Sequence, residues 1–350
     1  MPRPIGIAFV VFILQELKGD VNMGKELGFG IIGLGRGRHG VKAAMNTEGA
    51  KLVSVCDLQE NKAKKIAEEN GCEWTVEYGD LLDRKDIDVI GVYTSSGTHC
   101  DIGIEALNAG KHVYVTKPMD VHTDPCTKAI ETADKAGLVL AVDFGRRYND
   151  VFRKMARDIR NGAIGKILVA DLRVKWFRTQ DYYEGGNLPG WRKSIRTEGG
   201  SASNQGVHGI DLFMWLIGKI KDVYGVKRTL NHDMETEDAT AAIMNLEDGG
   251  IATIVTTTCA NPPSGDNIEI NGTEGTISWG KEAQPYESKE EYASESTGEI
   301  GNNIIEDMLL AINKGIPPNV DGREGRKSVE LIEGIYRSSE TGKVITLKYQ

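Results

Sequence analysis

From Phe29 onward the apolar residues fall into short runs separated by stretches in which they recur at helical spacing. Phe29 to Gly33, Lys51 to Cys56, Val89 to Tyr93, His112 to Thr116 and Leu138 to Phe144 read as buried strands. Between them, His39 to Thr47, Asn61 to Asn70, Ile102 to Ala109 and Thr127 to Ala136 read as helices. Strands alternating with helices of this length predict right-handed crossovers, and therefore a doubly wound parallel α/β sheet over residues 24–147.

After Arg147 the pattern changes. A helix over Asp150 to Asn161 precedes longer strands at Ile167 to Phe177, Val223 to Arg228, Ala239 to Leu246, Ile251 to Thr258 and Ile268 to Trp279. The last is broken by Asn271-Gly272-Thr273-Glu274-Gly275, a hairpin turn by composition. Short turns between successive strands predict an α+β unit over residues 148–350, with a mainly antiparallel open sheet. The helix Gly209 to Ile217 puts Ile210, Phe213, Met214 and Ile217 on one side and can cover one face; the other face is available to a second subunit. Lys281 to Glu299 is polar and acidic and reads as a mobile surface loop, Gly325 to Ser339 as a late helix and Val344 to Leu347 as a closing strand.

Composition narrows the class. The chain of 350 residues carries a net charge of −9 and has no basic run, which argues against nucleic acid and anionic membrane as partners and in favour of a small molecule. Its five cysteines are scattered without a Cys-x-x-Cys pair, as expected of reduced cytoplasmic thiols with neither a disulfide framework nor a metal site. Ile5 to Leu14 is apolar but shorter than the roughly 20 residues a membrane span needs. Gln15-Glu16-Leu17-Lys18 follows where a signal-peptide cleavage site would need small residues, so residues 1–23 read as a leader or extension, with Met23 a candidate start.

Three stretches can carry chemistry. In Lys111-His112-Val113-Tyr114-Val115-Thr116-Lys117-Pro118 the proline ends a strand, which holds Lys117 at the carboxyl end where open α/β sheets bind ligands. In Gly30 to Gly40, Gly33 and Gly35 match the first two glycines of a dinucleotide fingerprint, while Arg38 stands at the third position. Asp57, about 20 residues further on at the end of the second strand, can take ribose hydroxyls and favours NAD. Asp57 with Glu60 could equally form a helix cap, and Arg36 and Arg38 leave NADP open. In Gly199 to Asp211, the spacing of Asn204, His208 and Asp211 puts them on one helix face. Between these stretches lie Lys175, Trp176, Arg178, Tyr182, Tyr183, Trp191 and Arg192, whose aromatic faces and long polar side chains suit a carbohydrate.

Taken in order, the glycine turn, Tyr93 to His99, Lys111 to Pro118, Phe144-Gly145-Arg146-Arg147-Tyr148 and Asn204 to Asp211 resemble the glucose-fructose oxidoreductase, inositol dehydrogenase and rhizopine-catabolism family. The resemblance runs from about Gly28 to the carboxyl end. It implies a dinucleotide-binding Rossmann domain followed by a substrate-binding and oligomerisation domain, assembled as a homodimer or homotetramer. It also implies an NAD(P)-dependent dehydrogenase acting on a secondary hydroxyl of a sugar, sugar derivative or cyclitol. Gly33, Gly35, Arg36, Arg38, Asp57, Thr94, His99 and Lys117 would then meet the cofactor, and Tyr148, Trp191, Arg192, Asn204, His208 and Asp211, with Lys117, the substrate. Lys117 matches the lysine of the family's Glu-Lys-Pro motif, with Thr116 in place of the glutamate. His208 matches the histidine of its Asp-x-x-x-His motif, with Asn204 in place of the aspartate. Lys117 and His208 are the candidate catalytic pair, and either can be the proton acceptor. An NAD-retaining glycosidase and a non-catalytic NAD-binding sugar sensor are the alternatives on the same fold.

Overall fold

The computed structural model describes residues 24–186, 189–281 and 301–349. The expected leader over residues 1–23 and almost all of the expected loop from Lys281 to Glu299 lie outside them. The first half alternates β1 (Leu27–Ile32), α1 (Arg38–Asn46), β2 (Ala50–Cys56), α2 (Glu60–Asn70), β3 (Glu73–Thr75), α3 (Gly79–Leu82), β4 (Val89–Val92), α4 (His99–Asn108), β5 (His112–Thr116), α5 (Thr123–Ala136) and β6 (Leu140–Asp143). Every adjacent pair in this sheet is parallel, in the order β3-β2-β1-β4-β5-β6. All six residues of β1 are buried, as a strand covered on both faces requires. The short elements β3 and α3 are additions to the predicted series; at three and four residues they are too brief to leave a periodic pattern.

The second half runs α6 (Asp150–Arg160), β7 (Ile167–Lys175), α7 (Gln180–Glu184), α8 (Val207–Ile217), β8 (Ile220–Arg228), β9 (Ala239–Leu246), β10 (Ile251–Thr257), β11 (Gly265–Gly272), β12 (Thr276–Trp279), α9 (Ile304–Lys314), α10 (Gly322–Thr341) and β13 (Ile345–Thr346). Its sheet has the order β12-β11-β7-β10-β9-β8-β13 and is antiparallel except where β10 pairs with β7. The strands alternate buried and exposed residues, the pattern of a sheet covered on one side. On the uncovered face, cross-strand pairing lines up the exposed Val169, Ile251, Ile243, Tyr224 and Val226.

One helix departs from the sequence reading in both existence and place. α9 starts at Asn303, whose side chain accepts from the N–H groups of Ile305 and Glu306, and ends at Gly315 in the left-handed region. Its Ile304, Ile305, Met308 and Leu309 pack with Phe29, Ile31, Val41 and Val55, so a late segment of the chain completes the core of the first sheet. Among the described residues no helix is long and apolar enough to cross a membrane.

Candidate active site

β1 stands at the point where strand order reverses: β2 and β3 lie on one side of it and β4 to β6 on the other. The loops leaving β1 and β4 diverge there and open a crevice at the carboxyl ends of the strands. Gly33 turns the chain with φ +87, and a side chain on it would stand 2.6 Å from the Tyr93 carbonyl oxygen. A Cβ on Gly35 would meet nothing within 4 Å, which leaves the main chain open to a ligand. Arg38, exposed at the start of α1, cannot serve the close helix-to-strand approach of a third glycine; Gly40 does so instead, with a Cβ position only 2.7 Å from the Tyr93 ring. Asp57 accepts from the N–H of Leu34 at 2.8 Å and of Gln59 at 2.9 Å, and pairs with Lys62 at 3.1 Å. It therefore ties the glycine turn to the end of β2, and the alternative cap with Glu60 is not formed, since Gln59 is the first residue of the α2 boundary. An open glycine turn, the first N–H groups of α1 and a carboxylate at the end of β2 together fit the pyrophosphate and ribose of a dinucleotide.

From β4, the Thr94 hydroxyl bonds that of Thr98 at 2.8 Å. His99 is buried, its two ring nitrogens facing the Pro118 carbonyl at 2.8 Å and the Thr94 carbonyl at 3.1 Å. Burial holds its pKa down to about 4. A neutral ring carries its hydrogen on one of the two nitrogens and donates to one of these carbonyls, and its place between them braces the β4 and β5 loops.

Lys117 emerges from β5 with Nζ donating to the backbone carbonyl of Asn204 at 3.0 Å. Burial is the largest influence on this amine and brings it down to about 8; Glu198 works against the shift, while Arg36 and Arg146 add to it. His208, at the start of α8, is held well below the usual imidazole range by burial, then by the charges of Lys117, Arg146 and Arg36. The strip preceding it is not α-helical: Ser201–Gly206 is a π-helix, with one residue more per turn-closing bond. The predicted α-helical face therefore holds for His208 and Asp211, which both lie in α8, while Asn204 stands in the π-helical strip. Glu237, just before β9, fixes the strip by accepting from Ser201 Oγ, from the Ala202 N–H at 2.9 Å and from Tyr336 Oη at 2.7 Å.

Glu198 is absent from the sequence reading. It is buried, accepts from Ser96 Oγ at 2.9 Å, and its charge is felt by Lys117. Burial raises its pKa. An acid directly before Gly199-Gly200 was the only local signal for it.

Two expected substrate residues are engaged elsewhere. Asp211 takes both ends of the Arg147 guanidinium, at 3.0 and 2.7 Å, in a buried pair. Tyr148 donates its hydroxyl to Asp307 at 2.8 Å, which also accepts from the Asn319 N–H. Both therefore act as structural ties, with their polar atoms already committed. Trp191 and Arg192 lie together, the guanidinium 4.5 Å from the Trp191 ring centre and 4.6 Å from that of Tyr182. Tyr182 in turn reaches Asn204 Oδ1 at 3.5 Å.

Known proteins match this arrangement along most of the chain. Residues 27–144 match the oxidoreductase family, NAD-binding Rossmann fold, and residues 152–278 match the GFO/IDH/MocA C-terminal domain. The chain is 30% identical over 260 residues to the scyllo-inositol 2-dehydrogenase (NAD(+)) of Bacillus subtilis, covering 71% of this chain and 72% of that protein. The chain belongs to the GFO/IDH/MocA oxidoreductase family. This GFO/IDH/MocA protein is also 23% identical to the myo-inositol 2-dehydrogenase of Thermotoga maritima, over 91% of this chain and 98% of that one. The WlbA dehydrogenase of Bordetella pertussis, solved in complex with NADH and UDP-GlcNAcA, superposes with a TM-score of 0.83 at 28% identity, covering 93% of this chain and 99% of that chain. The expected NAD-binding oxidoreductase with a Rossmann sheet and a mainly antiparallel second sheet is thus borne out.

Proposed function

We propose that this family member oxidises a secondary hydroxyl of a sugar, sugar derivative or cyclitol with NAD⁺, or reduces the matching ketone. The observation that carries the reading is Lys117, a half-buried amine lowered to about 8 at the carboxyl end of β5, beside the strip that bears Asn204 and His208. The names of the inositol dehydrogenases among its relatives support the substrate class. Gly33 and Gly35 with the start of α1 would hold the pyrophosphate, and Asp57 the adenosine ribose, whose free hydroxyls suit its carboxylate better than a 2′-phosphate would.

The nicotinamide, when bound, supplies the acceptor for the hydride. Lys117 takes the hydroxyl proton. An amine at about 8 is neutral often enough near pH 7 to act as a base and strong enough to keep the proton. His208, held well below the imidazole range, is a neutral hydrogen-bonding group at the same pH and orients the hydroxyl. Glu198 stabilises the ammonium that Lys117 becomes.

The experiment is the rise of reduced-nicotinamide absorbance with NAD⁺ or NADP⁺ and a panel of inositols, free sugars, glycosides and nucleotide sugars. Steady turnover with NAD⁺ on one class supports the reading. Silence, with NAD co-purifying, would instead favour the NAD-retaining glycosidase or the sensor. The exposed apolar face of the second sheet supports assembly with further copies of the chain, to be checked by sedimentation.

A further inference from the structure

Two arginines beside the Asn204 strip have only neutral hydrogen-bond partners among the described residues. The Arg178 guanidinium lies 5.2 Å from the Trp176 ring centre and 5.0 Å from that of Tyr182, and Arg192 lies on the same Tyr182 ring at 4.6 Å. Arg178 donates to the Gln205 side-chain oxygen at 2.8 Å and to the Phe177 carbonyl at 2.9 Å. Arg192 donates to the carbonyls of Tyr182 and Gly185 at 3.2 and 3.3 Å. Nε of Arg178 is buried and has no hydrogen-bond partner among the described residues. Glu198 feels the charge of Arg192 but accepts its hydrogen bonds from Ser96.

The pair is coupled to the reaction centre by direct contacts. Gln205, which accepts from Arg178, donates to Tyr182 Oη at 2.9 Å and to Asn204 Oδ1 at 2.8 Å, and the Asn204 carbonyl accepts from Lys117. Arg178 is also held from behind, because His232 bonds its carbonyl at 3.0 Å and Asp238 fixes the other ring nitrogen of His232 at 2.9 Å. A guanidinium stacked on aromatic rings, fixed at its main chain and lacking a counter-ion is prepared for an anion. In a chain of net charge −9, cations gathered at the reaction centre are against the general trend. The glycine turn of β1, to which the proposed function assigns the cofactor's phosphates, is a separate element from this pair.

We propose that Arg178 and Arg192 are an anion clamp for the substrate, and that the sugar or cyclitol oxidised here therefore carries a carboxylate or phosphate. The proposal rests on the dehydrogenase reading for which hydroxyl reacts, but the anion contact does not depend on turnover.

The test is calorimetric binding to the full chain saturated with NAD⁺, using glucuronate, UDP-glucuronate, glucose 6-phosphate, glucose and myo-inositol, followed by turnover with each. At least one anionic sugar should bind at least about tenfold more tightly than glucose, as one charge-assisted contact implies. Glucuronate against glucose 6-phosphate separates a carboxylate from a phosphate. Arg178→Met and Arg192→Met should each remove most of the preference, read as the ratio of anionic to neutral sugar affinity, while leaving the affinity for NAD⁺ unchanged. Equal binding of charged and neutral sugars in the unaltered protein overturns the clamp whatever the variants do, and so does a preference that survives both substitutions. Anion-selective binding without net reduction of NAD⁺ keeps the clamp and removes the dehydrogenase reading; turnover confined to neutral sugars does the reverse.

Discussion

The glycine turn after β1 and the Ser201–Gly206 strip before α8 face the same crevice, yet they are built in different ways. The turn is made by main chain: Gly33 supplies a positive φ, Gly35 leaves space, and the side chain that fixes it among the described residues is Asp57, a short way along the same unit. The strip is made by side chains from distant elements, with Glu237 holding Ser201 and Ala202, Gln205 joining Tyr182 to Asn204, and Lys117 reaching across from the first sheet. A backbone-built site needs residue types at fixed spacing, whereas a side-chain-built one needs the whole fold before any member has a partner.

The sharpest way to separate the two is Lys117→Ala. It should lower turnover by about 10³-fold, within the range of general-base losses, and leave NAD⁺ binding intact by fluorescence titration. Turnover near the unaltered rate would remove Lys117 from the chemistry. Next comes Asp211→Ala, which leaves buried Arg147 with only its longer contact to Glu324 at 3.4 Å and should cost about 3 kcal/mol in denaturant unfolding. A smaller loss would mean that water reaches Arg147.

A moderate effect is expected on pH dependence. Oxidation requires neutral Lys117, so kcat/KM should rise with pH and level off above about 8. Glu198→Gln removes a negative neighbour that favours the ammonium, so the same limb should move to lower pH. A limb that stays in place would show that Glu198 does not act on the titrating group. Smaller still, Gly35→Ala should weaken NAD⁺ binding with no loss of thermal stability, because its added methyl group enters open space. Gly33→Ala should lower stability as well, since its methyl group meets the Tyr93 carbonyl.

Glu237 gives the comparison a thermodynamic edge. Burial lifts its carboxyl to about 7, against an unfolded value near 4.3, so the folded state binds the proton more strongly. Its contribution to stability is full below the unfolded value and falls as pH rises towards about 7. Glu237→Gln should flatten that slope in unfolding measurements, and an unchanged slope would assign it to another group.

Legibility followed the same division. The strands of the first sheet and the place of Lys117 could be read because apolar runs, glycines and Pro118 act locally. The π-helical strip could not, since an extra residue in a turn has no compositional mark. Glu198 finds its partner Ser96 at a sequence separation of 102, beyond any motif. Asp211 and Tyr148 carried motif positions but are committed to Arg147 and Asp307, contacts that only the assembled halves create. α9 is a different case. Asn303, the apolar Ile304, Ile305, Met308 and Leu309, and Gly315 form a complete helical signature. The residues predict the helix, but nothing in them predicts its destination on the first sheet.

That destination sets an order of events during synthesis. The glycine turn and all six strands of the first sheet leave the ribosome early, yet the helix that seals part of their apolar core is made only after β7 to β12 of the second sheet. Until residues 304–314 arrive, the nascent first half presents an unfinished hydrophobic surface, and a fragment ending at Tyr148 should aggregate or bind chaperones where the full chain does not.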